Sequence, residues 1–102
     1  MLKAEMFNLN GGEFINLEES EVTDERYVIK FKNGYGVDIC SGELYHCDKD
    51  TYEVGIVTFK YDGSQFYLAD DIEDNIFDYQ TTEDIQELID KVSEIPEKTL
   101  LN

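Results

Sequence analysis

The sequence predicts an α+β fold, an antiparallel sheet of four to five strands packed against one C-terminal helix, as a single domain over residues 1–102. Three observations carry this expectation. Two β-branched and aromatic stretches are each split by a glycine turn, at Asn33-Gly34 and at Asp62-Gly63, which is the signature of hairpins. The segment after Thr81 repeats apolar residues at helical spacing and stops at Pro96. A helix with one apolar stripe must bury it, and the apolar face of an antiparallel sheet is the surface available.

Taken in order, residues 1 to 26 place Leu2, Met6, Phe7, Leu9, Phe14, Ile15 and Leu17 around Asn10-Gly11-Gly12. They read as a short opening strand or helical turn, followed by an extended piece from Glu13 to Leu17. The first hairpin pairs Tyr27–Lys32 with Val37–Cys40. A two-residue Asn33-Gly34 turn would set Ile29 opposite Asp38 and mix a carboxylate into the apolar face. A three-residue loop, Asn33-Gly34-Tyr35, sets Phe31 opposite Val37 and Ile29 opposite Ile39, with Gly34 or its neighbour at positive φ.

Between the hairpins, Ser41-Gly42 signals a turn, and Leu44-Tyr45-His46-Cys47 reads as a continuing strand before Asp48-Lys49-Asp50. In the second hairpin, Tyr52–Tyr61 meets Ser64–Ala69 through Asp62-Gly63. That two-residue turn pairs Phe59 with Phe66 and Val57 with Leu68. From Asp70 to Tyr79 the pattern changes. Ile72, Ile76 and Tyr79 fit one helical face, but their neighbours form helices poorly, so a loop or single turn fits equally. The helix that follows has Thr81 as N-cap and Asp84 at its third position, approximating a capping box. Ile85, Leu88, Ile89, Val92 and Ile95 form its stripe over about fourteen residues, a length the periodic pattern sets.

Charge narrows the function. Twenty-four acidic residues against eight basic ones give a net −16. From Glu13 to Glu25 there are six carboxylates and no Lys or Arg, and from Asp70 to Asp90 there are nine more, again with none. With 41% hydrophobic and 13% aromatic residues arranged periodically, this is a folding chain rather than a solvating tail. Such a charge repels nucleic acid and anionic lipid, so direct binding to either is not expected. No run approaches the roughly 18 apolar residues of a membrane span, and no basic-then-apolar leader opens the chain, which places it in the cytoplasm. Cys40 and Cys47 then read as free thiols.

Catalytic chemistry finds little purchase, and the chain reads as a non-enzyme without cofactor. His46 is the single histidine, and no Gly-x-Ser-x-Gly elbow is present. Cys40, His46 and Cys47 lack the spacing of a zinc site. Asp48-x-Asp50 and Asp70-Asp71-x-x-Asp74 do not match the twelve-residue calcium loop. No metal site is assigned. The acidic run is the remaining candidate, as a partner-binding surface of Asp70, Asp71, Glu73, Asp74, Phe77, Asp78, Tyr79, Glu83, Asp84, Glu87 and Asp90. Carboxylates three or four residues apart on a helix are spaced about 4.5 to 6 Å along its axis, against about 3.4 Å per phosphate on a DNA strand. Tyr67, Phe77 and Tyr79, where exposed, would supply apolar anchors. The plainer alternative is a solvated face that serves solubility.

Asn33-Gly34-Tyr35-Gly36-Val37, together with Tyr79-Gln80-Thr81-Thr82-Glu83-Asp84-Ile85 and the helix after it, resembles short uncharacterised proteins of tailed phages and prophages. The likeness runs over roughly residues 27 to 95 and departs at Gln80, where those proteins carry Leu. It transfers no catalytic residue. The resemblance implies a phage or prophage accessory protein, similar to anti-CRISPR and anti-restriction inhibitors, acting in the host cytoplasm. The function expected is inhibition by nucleic-acid mimicry, with a basic host protein such as a defence nuclease as partner. An immunity or antitoxin protein neutralising a basic toxin is the competing class.

Overall fold

The computed structural model describes residues 1–17, 23–59 and 65–97. A 3₁₀ turn (Ala4–Met6) opens the chain, followed by β1 (Glu13–Asn16), β2 (Glu25–Lys30), β3 (Tyr35–Ser41), β4 (Tyr52–Phe59), β5 (Phe66–Leu68), β6 (Ile76–Gln80) and α1 (Thr82–Ser93). All pairings are antiparallel, in the order β1-β2-β3-β4-β5, and β6 also pairs with β4. The fold is α+β, a meandering sheet packed against one C-terminal helix.

Alternation along the strands sends their residues to two faces. Tyr27, Ile29, Val37, Ile39, Val54 and Ile56 form the main core with Ile85, Leu88, Ile89 and Val92 of the helix. Leu2 and Phe7 join that core. The N-terminal segment is laced to the helix where Asn8 backbone N–H donates to Gln86 Oε1 at 2.9 Å and Gln86 Nε2 donates to the Asn8 backbone carbonyl at 3.0 Å. The opposite face holds a smaller cluster of Val28, Val57 and Phe59 with Leu17 and Phe66. Two cations sit over its rings, Lys30 at 5.2 Å from the Phe59 centroid and Arg26 at 5.6 Å from Phe66, both within cation–π range.

The first hairpin has the expected three-residue connection, but at Lys32-Asn33-Gly34. Phe31 N–H donates to the Tyr35 carbonyl at 2.9 Å, and Ile29 faces Val37 with Tyr27 facing Ile39. Each expected pair is therefore shifted by two residues, which leaves every side chain on its predicted face. Gly34 takes φ +89°. Asn33 explains the placement: its Oδ1 accepts from Tyr35 N–H at 3.0 Å, and its Nδ2 donates to the Val92 and Ile95 carbonyls at 2.8 and 2.9 Å. Both carbonyls lie at the C-terminal end of the helix, where the α-helical ladder stops, so one turn side chain ties the hairpin to the helix.

The second hairpin has the predicted register, Val57 with Leu68 and Phe59 with Phe66. Its Asp62-Gly63 turn lies outside the described residues, as do Glu18, Glu19 and Glu21 of the first acidic stretch. Residues 44–47 do not continue a strand. Gly42 at φ +143° turns the chain, Tyr45 N–H bonds back to the Gly42 carbonyl at 3.1 Å, and Leu44 stays exposed. Thr81 and Asp84 form the capping box, and the helix runs twelve residues rather than fourteen.

Gly36 lies where the smaller cluster approaches the backbone most closely. A Cβ there would stand 2.6 Å from the Phe59 ring and closer still to the Ile29 carbonyl. Gly36→Ala is therefore expected to destabilise the fold by about 1–3 kcal/mol, read as a lowered urea midpoint with an unchanged m-value. An unaltered midpoint would show that Phe59 does not pack on this strand.

Candidate functional site

The residues from Asp70 to Gln80 adopt neither a helix nor a plain loop. β5 and β6 run in the same direction along one edge of β4, so 66–80 is a single edge strand interrupted by a looped-out segment. The interruption is centred on Ile56, whose carbonyl accepts from Ala69 N–H at 2.9 Å while its own N–H donates to the Asn75 carbonyl at 2.8 Å. The loop-or-turn alternative holds over 70–75, where Ile72 N–H closes a turn on the Ala69 carbonyl, but the helical spacing does not: Ile76 belongs to a strand, opposite Gly55, and Ile72 folds back against the main core.

The looped-out residues 70–74 are Asp70, Asp71, Ile72, Glu73 and Asp74, and all four carboxylates are exposed. Ile72 pins the loop from beneath. Its N–H donates to the Ala69 carbonyl at 3.0 Å, and Asn75 Nδ2 donates to the same carbonyl at 3.2 Å. Across the sheet, the buried Tyr35 hydroxyl donates to Asp71. That bond to a carboxylate raises the Tyr35 phenol from its ordinary 10.0 to about 12, with burial adding to the effect.

Beyond the loop, a bulge places Asp78 and Tyr79 of β6 opposite Glu53 of β4. Tyr79 takes φ +53°, its N–H donates to the His46 carbonyl at 3.0 Å, and its ring is exposed. Tyr67 is exposed on β5 as well, whereas Phe77 packs against the main core. Two of the three expected anchors are therefore at the surface.

On the helix, successive residues turn by about 100°. Glu83, Glu87 and Asp90 consequently fall within about 60° of one another, roughly opposite the stripe of Ile85, Leu88, Ile89 and Val92. The acid thus divides into two parts, an edge group (Asp70, Asp71, Glu73, Asp74, Asp78) and a ridge along the outside of the helix. Besides Asp71, two further predicted members have structural duties. Asp84 Oδ2 accepts from Thr81 N–H and Oγ1, both at 3.0 Å, which lowers its pKa. Asp90 accepts from Asn10 at 2.9 Å and Gln86 at 3.1 Å.

His46, from the turn after β3, meets Glu53 and Asp78. Its Nδ1 lies 3.2 Å from Glu53 Oε1 and 3.5 Å from Asp78 Oδ1. Sequence spacing gave no hint of this grouping, since Glu53 and Asp78 are joined by the β4–β6 pairing and His46 is held beside them by the Tyr79 N–H bond to its carbonyl. Cys40 and Cys47 are free thiols outside this donor set, although Cys40 lies opposite Glu53 on β3 and Cys47 follows His46. Cys40 is buried, and burial pushes its thiol up to about 12, which makes it a poor nucleophile. Among the described residues no helix is long and apolar enough to cross a membrane.

No family model matches the chain, and neither does any curated protein or solved structure.

The Tyr35–Asp71 bond yields a pH prediction. A phenol raised in the folded state holds its proton more tightly than in the unfolded chain, so its contribution is complete below about pH 10 and is lost as pH rises towards 12. Stability of the wild-type chain is expected to fall across that window. Tyr35→Phe should cost about 1–2 kcal/mol at neutral pH and flatten the alkaline fall, as read by urea melts at a series of pH values. The N-cap adds a second expectation: Thr81→Ala lowers stability by about 0.5–2 kcal/mol.

Proposed function

We propose that the protein is a non-enzymatic inhibitor that presents its acidic edge to a Lys/Arg-lined, nucleic-acid-binding groove of another protein. The observation that carries this reading is the looped-out segment, which exposes Asp70, Asp71, Glu73 and Asp74 while its two ends are hydrogen-bonded to Ile56 inside the sheet. Four carboxylates on a held segment resemble a short run of phosphates in sign, and a groove shaped for a polyanion would attract them from a distance. Exposed Tyr67 and Tyr79 on the same edge offer aromatic surface of the kind that carries affinity at interfaces. The mechanism is competition: the edge occupies the groove and nucleic acid is excluded.

The phage or prophage origin, and a host defence nuclease as target of an anti-CRISPR or anti-restriction type, belong to the same proposal and rest on the resemblance given above. Action in the host cytoplasm is proposed with them.

The test is capture from host extract on the immobilised chain, with Asp70→Lys, Glu73→Lys, Asp74→Lys as control. Asp71 is left in place so that its bond to Tyr35 survives. A nucleic-acid-binding protein retained by the wild type, lost on the triple variant and displaced by added DNA or RNA is the expected result. Equal retention by both forms, or a partner that nucleic acid does not displace, overturns the proposal.

A further inference from the structure

We propose that His46, Glu53 and Asp78 form a binding site for a zinc ion. This inference is independent of the inhibitor reading. It rests on three donors from three separate elements, the turn after β3, the strand β4 and the edge strand β6, whose ligand atoms all lie within 4.8 Å of one another.

The distances suit the ion. Zinc bonds of about 2.0–2.2 Å to nitrogen and oxygen place neighbouring tetrahedral donors about 3.3–3.6 Å apart. His46 Nδ1 stands 3.2 Å from Glu53 Oε1 and 3.5 Å from Asp78 Oδ1. Turning the carboxylate planes closes the third edge at little cost, because terminal carboxylate torsions are broad. The donor set matches too. A neutral imidazole with two carboxylates carries a charge of about −2, which a divalent ion cancels, and the imidazole selects zinc over calcium or magnesium.

The backbone holds the donors in place without the ion. Asp78 and Glu53 face each other across β4 and β6, an arrangement of like charges that disfavours pairing. The His46 carbonyl is fixed to the same strand by Tyr79 N–H at 3.0 Å. Glu53 is the least exposed of the three, its side chain 19% accessible, while His46 stands at 70%. Three protein donors leave a fourth position for water or for a donor from another molecule.

The histidine separates this site from diffuse attraction of cations to an acidic surface. Calorimetric titration of the full chain with Zn²⁺ is expected to show one saturable site, and Co²⁺ should give the visible absorption of a tetrahedral complex. His46→Ala and Glu53→Gln should each lower Zn²⁺ affinity at least about tenfold, while Asp70→Asn, Asp74→Asn leaves it unchanged. Because His46 is the sole histidine, its ring resonances in NMR should shift and saturate at one equivalent. Should His46→Ala fail to fold by circular dichroism, Asp78→Asn decides by the same criterion. Weak multisite uptake that is identical in all variants, or a histidine signal unmoved by zinc, overturns the proposal.

Discussion

The backbone of Ile56 is the point on which the acidic edge depends. Its carbonyl and amide are claimed by Ala69 and Asn75, six residues apart in sequence, so the intervening acidic residues have to leave the strand. Ile56 is buried, and a buried backbone group without a partner costs about 1–3 kcal/mol. Releasing the loop from the sheet would strand two such groups at once. Carboxylates that would repel one another in a mobile chain are thus held together by the bonding requirements of a core residue. Ile72 reinforces the arrangement by lodging against the main core from the middle of the loop.

The same logic recurs at several other acids. Asp71 is bound by the Tyr35 hydroxyl, Asp84 by the Thr81 hydroxyl and amide, and Asp90 by Asn10 and Gln86. Glu25 accepts from Tyr27 at 2.6 Å and from Tyr52, and burial, reinforced by that carboxylate, pushes the Tyr52 phenol up. Apart from the Met1 ammonium, 3.5 Å from Glu25, these donors are neutral. They orient carboxylates and satisfy their lone pairs but leave the negative charge uncancelled, which an ordinary ion pair would not. Arg26 with Asp38, at 3.0 Å, is a contrasting case, on the face away from the helix. A surface built in this way keeps its charge for whatever approaches it, at the cost of self-repulsion that salt relieves.

Much of this was legible in the sequence, and the gaps have physical causes. The second hairpin follows from the pairing of Phe59 with Phe66 and Val57 with Leu68, because a one-residue slip would turn the buried Val57 and Phe59 away from those partners. The helix follows from its N-cap and stripe, both local signals. Asn33 was readable as a turn residue but not as the cap of a helix some sixty residues later, since that role exists only once the two elements meet. β6 was hidden because its strand is short, mostly exposed and interrupted by a bulge. Period-2 alternation is lost where a loop leaves the strand and again where Tyr79 takes positive φ. The His46, Glu53 and Asp78 grouping was invisible for the same reason, as it is made by that irregular pairing.

Amide hydrogen exchange at Ile56, compared with Val37 and Ile39 in the middle of the sheet, tests the held loop most directly. If the acidic segment is fixed at both ends, Ile56 N–H exchanges as slowly as those central amides, although its acceptor, Asn75, follows directly on an exposed acidic loop. Exchange at Ile56 as fast as in exposed turns would mean that the edge opens freely, and the carboxylates would then be a mobile fringe rather than a fixed surface.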